Sequence, residues 1–205
     1  GGAGIAISLL LLEYVKVIHL NDLDRSIFAF WHSVLHETEA LCRKIVDTKP
    51  TIREWKRQRE IQSDTRASLL DLGYSTFFLN RTNRSGIINA GVIGGLKQTG
   101  RWGIDARYNR PALSERIERI AAFANRIRLY NLDAAKFIRR ELPKIPQRAL
   151  VYLDPPYYVK GGRLYQNHYV HEDHVNIATL VQTSIKQNWL VSYDNVPEIR
   201  KLYKQ

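Results

Sequence analysis

Short apolar runs alternate with longer amphipathic stretches along this chain. Apolar residues dominate 5–13, which predicts a helix, and the β-branched and apolar residues of 15–20 predict a strand. A long amphipathic stretch, predicted to be helical, begins at Asp24, whose carboxylate is a candidate N-cap. The beginning of the chain therefore has the pattern of a βαβ-type fold.

The same alternation returns in the second half of the chain. Short apolar strands that alternate with helices imply a mostly parallel sheet with helices on both faces. We therefore predict an α/β fold of the Rossmann-like kind. The predicted strands are 127–132, 149–153 and 189–193, and the predicted helices are 134–142 and 171–187.

The composition changes between these two parts. Residues 45–119 are rich in Arg, Asn and Gly, and we interpret them as an inserted, basic and largely helical lobe. The remaining segments, 1–44 and 120–205, form the predicted α/β domain. A chain of 205 residues with 44% hydrophobic content can bury one sizeable core and a small extra lobe.

Charge and cysteine content narrow the classes of function. Thirty-one Lys and Arg against 20 Asp and Glu give a net charge of +11, which makes nucleic acid the first partner to consider. The one cysteine, Cys42, excludes a disulfide framework or a cysteine zinc site within the chain. The longest apolar run, 5–12, is too short to span a bilayer, so we expect no membrane association and a cytoplasmic location. The chain starts with four small residues and contains no Met, so we expect the natural N-terminus to be missing.

Ligands of open α/β sheets bind outside the carboxyl ends of the strands. That rule directs attention to four places, each at or just beyond a predicted strand end or turn. They are Gly1, Gly2, Ala3 and Gly4; Asp22 and Leu23; Asp133; and Asp154, Pro155, Pro156 and Tyr157.

The last of these places carries the most specific chemistry. Two prolines fix a rigid extended turn after 149–153, and its backbone carbonyls are available to a ligand. The Asp154 carboxylate and the Pro155 carbonyl are suitable acceptors for the two hydrogens of an exocyclic adenine amine. Tyr157 supplies an aromatic face on which an extruded base could stack. The alternative is an ordinary polar turn after a buried strand.

Five stretches, in this order, resemble the DNA adenine-N6 methyltransferases, specifically the DNA adenine methylase branch. The resemblance runs from residue 1 to about 203, which is nearly the whole chain. The stretches are Gly1–Gly4, 21–24 (Asn-Asp-Leu-Asp), 77–86 (Phe-Phe-Leu-Asn-Arg-Thr-Asn-Arg-Ser-Gly), Asp154–Tyr157 and 192–195 (Ser-Tyr-Asp-Asn).

The resemblance implies that S-adenosylmethionine binds at the strand ends and leaves as S-adenosylhomocysteine. It places Gly1–Gly4 and Leu23 against the cofactor and Asp22 on the ribose hydroxyls, with Asp24 as the second choice for the ribose. Asp133 would face the adenine amine of the cofactor, and the alternative role for this residue is a helix N-cap. Asp154 belongs to both the cofactor site and the catalytic turn. The family's upstream strand and lysine-bearing segment are not found in this sequence.

Methylation of a base inside a duplex requires the base to be flipped out while the protein holds the distorted DNA. We expect residues 80–110 to contact DNA through phosphates and base edges. A solvated basic face is the alternative for any single cation there. The candidate contact residues are Asn80, Arg81, Asn83, Arg84, Lys97 and Arg101.

The segment after the Pro-Pro turn has two further features. His168, His171 and His174 are spaced like metal ligands, but methyl transfer from a sulfonium needs no metal, so we expect no metal site. Gly161 and Gly162 fit the hinge of a mobile lid. Three other residues of the predicted lid could approach the flipped base, namely Tyr158, Lys160 and Tyr165.

The resemblance therefore implies a site-specific methyltransferase that acts on adenine N6 in duplex DNA by base flipping and direct displacement. Two alternatives stay open at this point: an RNA or protein-amide methyltransferase, and a DNA-binding module with a degenerate core. We further expect a monomer of bacterial, archaeal or phage origin, with a cognate restriction endonuclease system as a second partner.

Overall fold

The computed structural model describes residues 3–159 and 169–203, and this part of the chain contains helices and short strands. The helices are α1 (Gly4–Leu11), α2 (Arg25–His36), α3 (Thr38–Asp47), α4 (Ile52–Ser63), α5 (Leu69–Thr82), α6 (Arg110–Ala121), α7 (Ala134–Arg140), α8 (His171–Ser184) and α9 (Pro197–Leu202). The strands are β1 (Ile18–Asn21), β2 (Ile127–Tyr130), β3 (Leu150–Leu153) and β4 (Asn188–Val191). Short 3-10 turns occur at Arg84–Gly86, Ala124–Arg126 and Leu142–Lys144.

The chain packs into two compact units. One, which we name the helical unit, comprises residues up to 20 and 25–130, and contains α1 to α6. The other, which we name the β3–β4 unit, comprises 21–24 and the residues from 131 onward. Helices α2 and α3, predicted to belong with the α/β domain, thus pack with the lobe predicted at 45–119. The functional boundary between the catalytic domain and the lobe stays a prediction.

The helical unit is built around the crossing of α2 and α5. A Cβ atom at Gly73 would lie 2.5 Å from the Ala29 carbonyl oxygen, so only glycine permits this close approach. At the same crossing the Ser33 hydroxyl donates to the carbonyls of Ala29, at 2.8 Å, and Leu69, at 3.3 Å. Phe78 and Leu79 of α5 are fully buried in the core of this unit. The crossing therefore fixes the orientation of α5, whose last turn leads into the predicted DNA-contact segment.

Side-chain caps set the start of several helices. Thr51 accepts from the Glu54 N–H at α4, and Ser68 accepts from the Asp71 N–H at α5. Helix α2 ends at His36, the backbone leaves helical geometry at Glu37 (φ −134°, ψ 34°), and α3 begins at Thr38. The amphipathic helix predicted after Asp24 is therefore followed directly by a second helix.

The β3–β4 unit contains a parallel strand pair. Leu150 pairs with Asn188 and Leu153 pairs with Val191, so both strands end at the same edge. Helices α7 and α8 pack on this pair through a small core that includes Ile138 and Leu180. The end of β3 is one of the four places that the sequence predicted for ligand binding.

The α/β content predicted from the sequence is confirmed. The predicted strand positions overlap β1 to β4, and each strand is one or two residues shorter than predicted. Within the described residues the strands form two two-stranded sheets, β1 with β2 and β3 with β4. A single mostly parallel sheet with helices on both faces is a finer statement, and it stays a prediction.

Candidate active site

The turn Asp154-Pro155-Pro156-Tyr157 begins where β3 ends, beside the loop that follows β4. The Ser192 N–H donates to the Leu153 carbonyl at 3.0 Å, which extends the strand pairing by one residue. Asp154 and Ser192 are therefore neighbours at the carboxyl edge of the sheet. The Asp154 side chain is exposed, and Pro155, Pro156 and Tyr157 are half-buried.

Two hydroxyl groups lead to the Asp154 carboxylate. Ser192 Oγ donates to Asp154 Oδ1 at 2.7 Å, and the Tyr152 hydroxyl donates to Ser192 Oγ at 3.1 Å. A serine hydroxyl has one proton to donate. Because Ser192 Oγ accepts from Tyr152, the Ser192 proton is directed at the Asp154 carboxylate. Hydrogen bonds to an ionised acceptor are the stronger class.

A second carboxylate from the same loop holds the backbone beyond the turn. Asp194 Oδ1 accepts from the Tyr158 N–H at 2.9 Å, and Asp194 Oδ2 accepts from the Val159 N–H, also at 2.9 Å. Both oxygens of one side chain thus bind consecutive amides. Asp194 therefore holds the two residues that directly follow the Asp-Pro-Pro-Tyr turn.

Aromatic side chains surround the far side of the turn. The Tyr158 ring lies 5.1 Å from the ring of His174, and its hydroxyl is 3.1 Å from His171 Nδ1. His174 is buried, and its Nδ1 lies 3.0 Å from the Tyr193 hydroxyl. Burial lowers the pKa of His174 and raises the pKa of Tyr193, so both groups are neutral at neutral pH. His171 and His174 therefore serve as packing and hydrogen-bonding groups for the aromatic cluster.

The loops that follow β1 and β2 are tied together by two asparagines. Asn21 Nδ2 donates to the Leu132 carbonyl at 2.9 Å, and the Leu132 N–H donates to Asn21 Oδ1 at 3.0 Å. Asn131 Nδ2 donates to the carbonyls of Asp22, at 2.7 Å, and Leu23, at 3.0 Å. This exchange holds the segment with Asp22 beside the segment with Asp133.

Asp22 is held in a tight turn. Its Oδ1 accepts from the Asp24 N–H at 2.9 Å. Burial raises the pKa of Asp22; the hydrogen bond from the Asp24 amide opposes this shift, and the nearby Asp24 charge reinforces it. Burial of this carboxylate costs desolvation energy, and a purely structural role does not require that cost. Buried carboxylates with raised pKa values are common at functional sites. Leu23, the next residue, is exposed.

Asp133 caps a helix. Its Oδ1 accepts from the Lys136 N–H at 3.1 Å at the start of α7, so the capping alternative raised from the sequence is confirmed. Its Oδ2 accepts no hydrogen bond within residues 3–159 and 169–203. The pKa of Tyr169 is raised to about 12, chiefly by burial and next by the charge of Asp133, so Asp133 and Tyr169 lie near each other. Tyr169 in turn contacts His174, with ring centroids 5.3 Å apart.

Only the last part of the predicted glycine turn falls within the described residues. Ala3 adopts left-handed backbone geometry (φ 55°, ψ 22°) as the N-cap of α1, and Gly4 is the first helical residue. Gly1 and Gly2 lie outside the described residues, as do Lys160, Gly161, Gly162, Tyr165 and His168 of the predicted lid.

In the helical unit, Asn83 organises the predicted DNA-contact segment from within. It is fully buried, its Oδ1 accepts from Trp55 Nε1 at 2.6 Å, and its Nδ2 donates to the carbonyls of Ile87 and Ile88. Both polar atoms of the Asn83 side chain are therefore bonded within the protein, and the residue shapes the loop. The prediction that Asn83 contacts DNA is corrected, because a fully buried and bonded side chain cannot reach a duplex. Asn80 has a related role, since its Nδ2 donates to the Gly86 carbonyl at 2.9 Å.

Three arginines of the helical unit lie close together. Arg81 Nε is buried and has no hydrogen-bond partner within the described residues. The pKa of Arg81 is lowered, first by burial and then by the charges of Arg107 and Arg116. Arg107 is held in place by bonds of 2.8 Å to the Asn80 carbonyl and 2.5 Å to the Asn83 carbonyl. Within the described residues, none of the three forms an ion pair with a carboxylate, so this cluster of like charges is suited to an anion.

The remaining predicted contacts are exposed cations. Arg84, Lys97 and Arg101 all project into solvent, and Arg101 lies over the Trp102 ring, 5.4 Å from its centroid. Gln98 folds the loop that carries the last two cations, because its Nε2 donates to the Ile93 and Gly95 carbonyls and its Oε1 accepts from the Ile104 N–H.

Candidate metal sites and membrane-spanning helices are both absent from the described part of the chain. No group of three His, Cys, Asp or Glu side chains there has the arrangement of a metal site. None of the helices in that part is long and apolar enough to cross a membrane.

Several positioning residues were missed by sequence reasoning. Asn21 lies one residue before Asp22 and Asn131 lies two residues before Asp133, so an asparagine shortly before each predicted cofactor carboxylate was a signal that the sequence contained. Ser192 and Asp194 belong to a stretch that resembles the family, but no role was assigned to them. No local pattern pointed to the contact between Trp55 and Asn83.

The comparisons with known proteins agree with this geometry. The family model described as D12 class N6 adenine-specific DNA methyltransferase matches residues 2–205. No curated protein matches the chain. With the family's model covering essentially the whole chain, and the Asp-Pro-Pro-Tyr turn at the end of a parallel strand, the chain belongs to the D12 class N6 adenine-specific DNA methyltransferases.

Proposed function

We propose that this chain methylates adenine N6 in duplex DNA with Asp154, Pro155, Pro156 and Tyr157 as its catalytic turn. The observation that carries this assignment is the parallel pairing of β3 with β4, which places the turn at a strand end beside Ser192 and Asp194. Family membership establishes adenine-N6 DNA methylation as the reaction class. The residue roles, the cofactor site and a Rossmann-like arrangement of the strands are our proposals.

The loops after β1 and β2 offer hydrogen-bond acceptors that suit the hydroxyls and amine of S-adenosylmethionine. Asp22 offers a carboxylate for the ribose hydroxyls, and Asp133 keeps one carboxylate oxygen for an amine while the other caps α7. The exchange between Asn21 and Asn131 holds both segments side by side. When bound, S-adenosylmethionine supplies an electrophilic methyl group on a sulfonium sulfur.

The catalytic turn supplies acceptors and orientation. The Asp154 carboxylate and the Pro155 carbonyl accept the two hydrogens of adenine N6, which directs the nitrogen lone pair toward the methyl carbon. Positive charge develops on N6 as the new bond forms, and Asp154 stabilises that charge. The extra proton on N6 then passes to Asp154 or to water. Tyr157 stacks on the extruded adenine and offsets part of the cost of removing it from the duplex.

DNA binding is proposed for the basic residues of the helical unit. The cluster of Arg81, Arg107 and Arg116 suits a phosphate, because it combines three cations with a buried N–H that has no partner in the described structure. Arg84, Lys97 and Arg101 are exposed and free to contact the backbone or base edges. A cognate restriction endonuclease system and a monomeric state stay predictions.

The test of the proposed function is transfer of labelled methyl from S-adenosylmethionine to unmethylated duplex DNA, with parallel reactions on RNA and protein. We expect the label in N6-methyladenine of DNA, and a loss of about 100-fold or more in Asp154→Ala, the size of effect typical for removal of an electrostatic stabiliser. Asp47→Ala alters an exposed carboxylate at the end of α3 and should keep the wild-type rate.

Other outcomes separate the alternatives. Label in RNA or protein but not in DNA would move the substrate assignment to one of those classes. Equal rates for Asp154→Ala and Asp47→Ala would remove Asp154 from the catalytic turn. No transfer to any substrate, with DNA binding intact, would indicate a degenerate core.

A further inference from the structure

We propose that Ser192 is a positioning residue for this reaction, which orients the Asp154 carboxylate through a hydroxyl relay that begins at Tyr152. This inference rests on the proposed function, because it assigns a second residue to the same site. Its basis is the chain of hydrogen bonds from Tyr152 to Ser192 at 3.1 Å and from Ser192 to Asp154 at 2.7 Å.

The backbone of Asp154 is more restricted than its side chain. Because Asp154 precedes a proline, its backbone is restricted to extended geometry, but its side-chain torsions are not restricted in this way. The side chain is exposed, so packing provides little restraint. A carboxylate that must meet an amine in one orientation therefore needs a partner to hold it.

The backbone of Ser192 is fixed by a hydrogen bond to β3. Its N–H donates to the Leu153 carbonyl at 3.0 Å, so its backbone is joined to the residue just before Asp154. Asp154 and Ser192 are thus each the first residue beyond one of two paired strands. The bond from the Ser192 N–H to Leu153 continues the strand pairing, so the paired strands set the relative position of the two residues.

The Tyr152 hydroxyl determines the direction in which the Ser192 hydroxyl donates. A serine hydroxyl can rotate and donate elsewhere, but the Tyr152 hydroxyl already donates into Ser192 Oγ. The Ser192 proton is therefore directed at Asp154 Oδ1. Tyr152 and Asp154 lie two residues apart on β3 and its extension, and Ser192 faces both from the neighbouring strand.

The experiment measures single-turnover methyl transfer together with KM values for DNA and S-adenosylmethionine. We expect Ser192→Ala to lower the single-turnover rate by about 10- to 100-fold, the range for a hydrogen bond to a charged group, with both KM values within about 2-fold of wild type. Ser192→Thr keeps the hydroxyl and should restore most of the rate. Tyr152→Phe should have a smaller effect, because Ser192 keeps its own proton.

A double-mutant cycle distinguishes positioning from a general structural role. If Ser192 acts through Asp154, adding Ser192→Ala to Asp154→Ala should cause no further loss of rate. Ser184→Ala, which removes an exposed hydroxyl at the end of α8, is the matched control and should behave as wild type. Thermal unfolding confirms that each variant folds; if Ser192→Ala does not fold, Ser192→Cys, a weak donor of similar size, takes its place with the same expected loss.

Three results would overturn the inference. They are a wild-type rate in Ser192→Ala, a further loss when Ser192→Ala is added to Asp154→Ala, and failure of Ser192→Thr to recover any rate. Failure of the proposed function has a different signature, since the wild-type protein itself would then transfer no methyl to adenine.

Discussion

At the scale of single residues, the carboxylates of this chain have distinct functions that their positions in the structure reveal. Asp133 caps α7 through one oxygen, whereas both oxygens of Asp194 bind backbone amides. Asp22 differs from both, because burial raises its pKa and its Oδ1 accepts from the Asp24 N–H within a local turn. An ionised carboxylate kept in a desolvating position is a cost to the fold that ligand binding can offset.

Asp22→Asn tests this balance between stability and binding. The variant keeps an oxygen for the Asp24 N–H but removes the charge, so we expect higher stability at neutral pH and a loss of S-adenosylmethionine affinity of about tenfold or more. The pKa in the folded state is raised, so the charge destabilises the fold above that pKa. The free energy of unfolding of Asp22→Asn should therefore exceed that of wild type at neutral pH. This difference should shrink as the pH falls from the raised pKa of Asp22 toward about 3.9, the ordinary value for Asp.

The measurement is urea unfolding at several pH values together with titration calorimetry of cofactor binding. Asp47→Asn, on an exposed residue, should leave the cofactor affinity unchanged. A variant that is less stable than wild type at neutral pH, or that binds the cofactor as well as wild type, would remove Asp22 from the ribose position.

At the scale of elements, the site is made by pairs of loops that hold each other at strand ends. The loop after β4 holds the turn after β3 through Ser192 and Asp194. The loops after β1 and β2 are joined by the exchange between Asn21 and Asn131. In both cases the side chain of one loop binds the backbone or side chain of the other, so each loop depends on its neighbour for its shape.

Asn131→Asp tests the second of these pairs. The substitution keeps the shape but replaces two donated hydrogen bonds with a carboxylate that faces the carbonyls of Asp22 and Leu23. We expect the segment 21–24 to loosen and the dissociation constant for S-adenosylmethionine to rise by about tenfold, as for the loss of about one to two hydrogen bonds.

Asn125→Asp is the matched control, since it introduces the same charge at an exposed asparagine with no side-chain hydrogen bond among the described residues. Calorimetry of cofactor binding makes the comparison. Equal affinities in the two variants would show that the loop exchange does not support the cofactor site.

At the scale of the whole molecule, the net charge of +11 makes electrostatic attraction to DNA the dominant long-range interaction. The cations differ in how they are held, however. Arg107 is fixed by two backbone carbonyls, whereas Arg84 and Arg101 are exposed and free to move toward a phosphate. The fixed cation preserves the loop that presents the exposed ones.

Salt dependence of DNA binding measures how many of these cations contact phosphates. Arg84→Ala and Arg101→Ala should each weaken binding to a labelled duplex and reduce the slope of log Kobs against log salt by about 0.9. Arg139→Ala, at an exposed position on α7, should leave the slope unchanged. Fluorescence anisotropy across a series of KCl concentrations gives the slopes, and an unchanged slope for Arg84→Ala and Arg101→Ala would assign these residues to the solvated surface.

The sequence by itself determined the order and type of most elements, the strand that leads into Asp154, and the family. The elements and the turn are local features, because apolar periodicity and proline geometry are read from neighbouring residues. The family is also read from the sequence alone, because it rests on short motifs that follow one another in order along nearly the whole chain.

Only the tertiary structure decided which side chains hold the site together. The bond from Ser192 to Asp154 joins residues 38 positions apart, and the bonds of Asn21 to Leu132 span 111 positions. Tertiary packing likewise turned Asn83 from a candidate DNA contact into a buried support for its loop. Contacts of this length depend on how strands pair and helices cross, and a hydrophobic pattern specifies that a face is buried without specifying which distant polar group it meets.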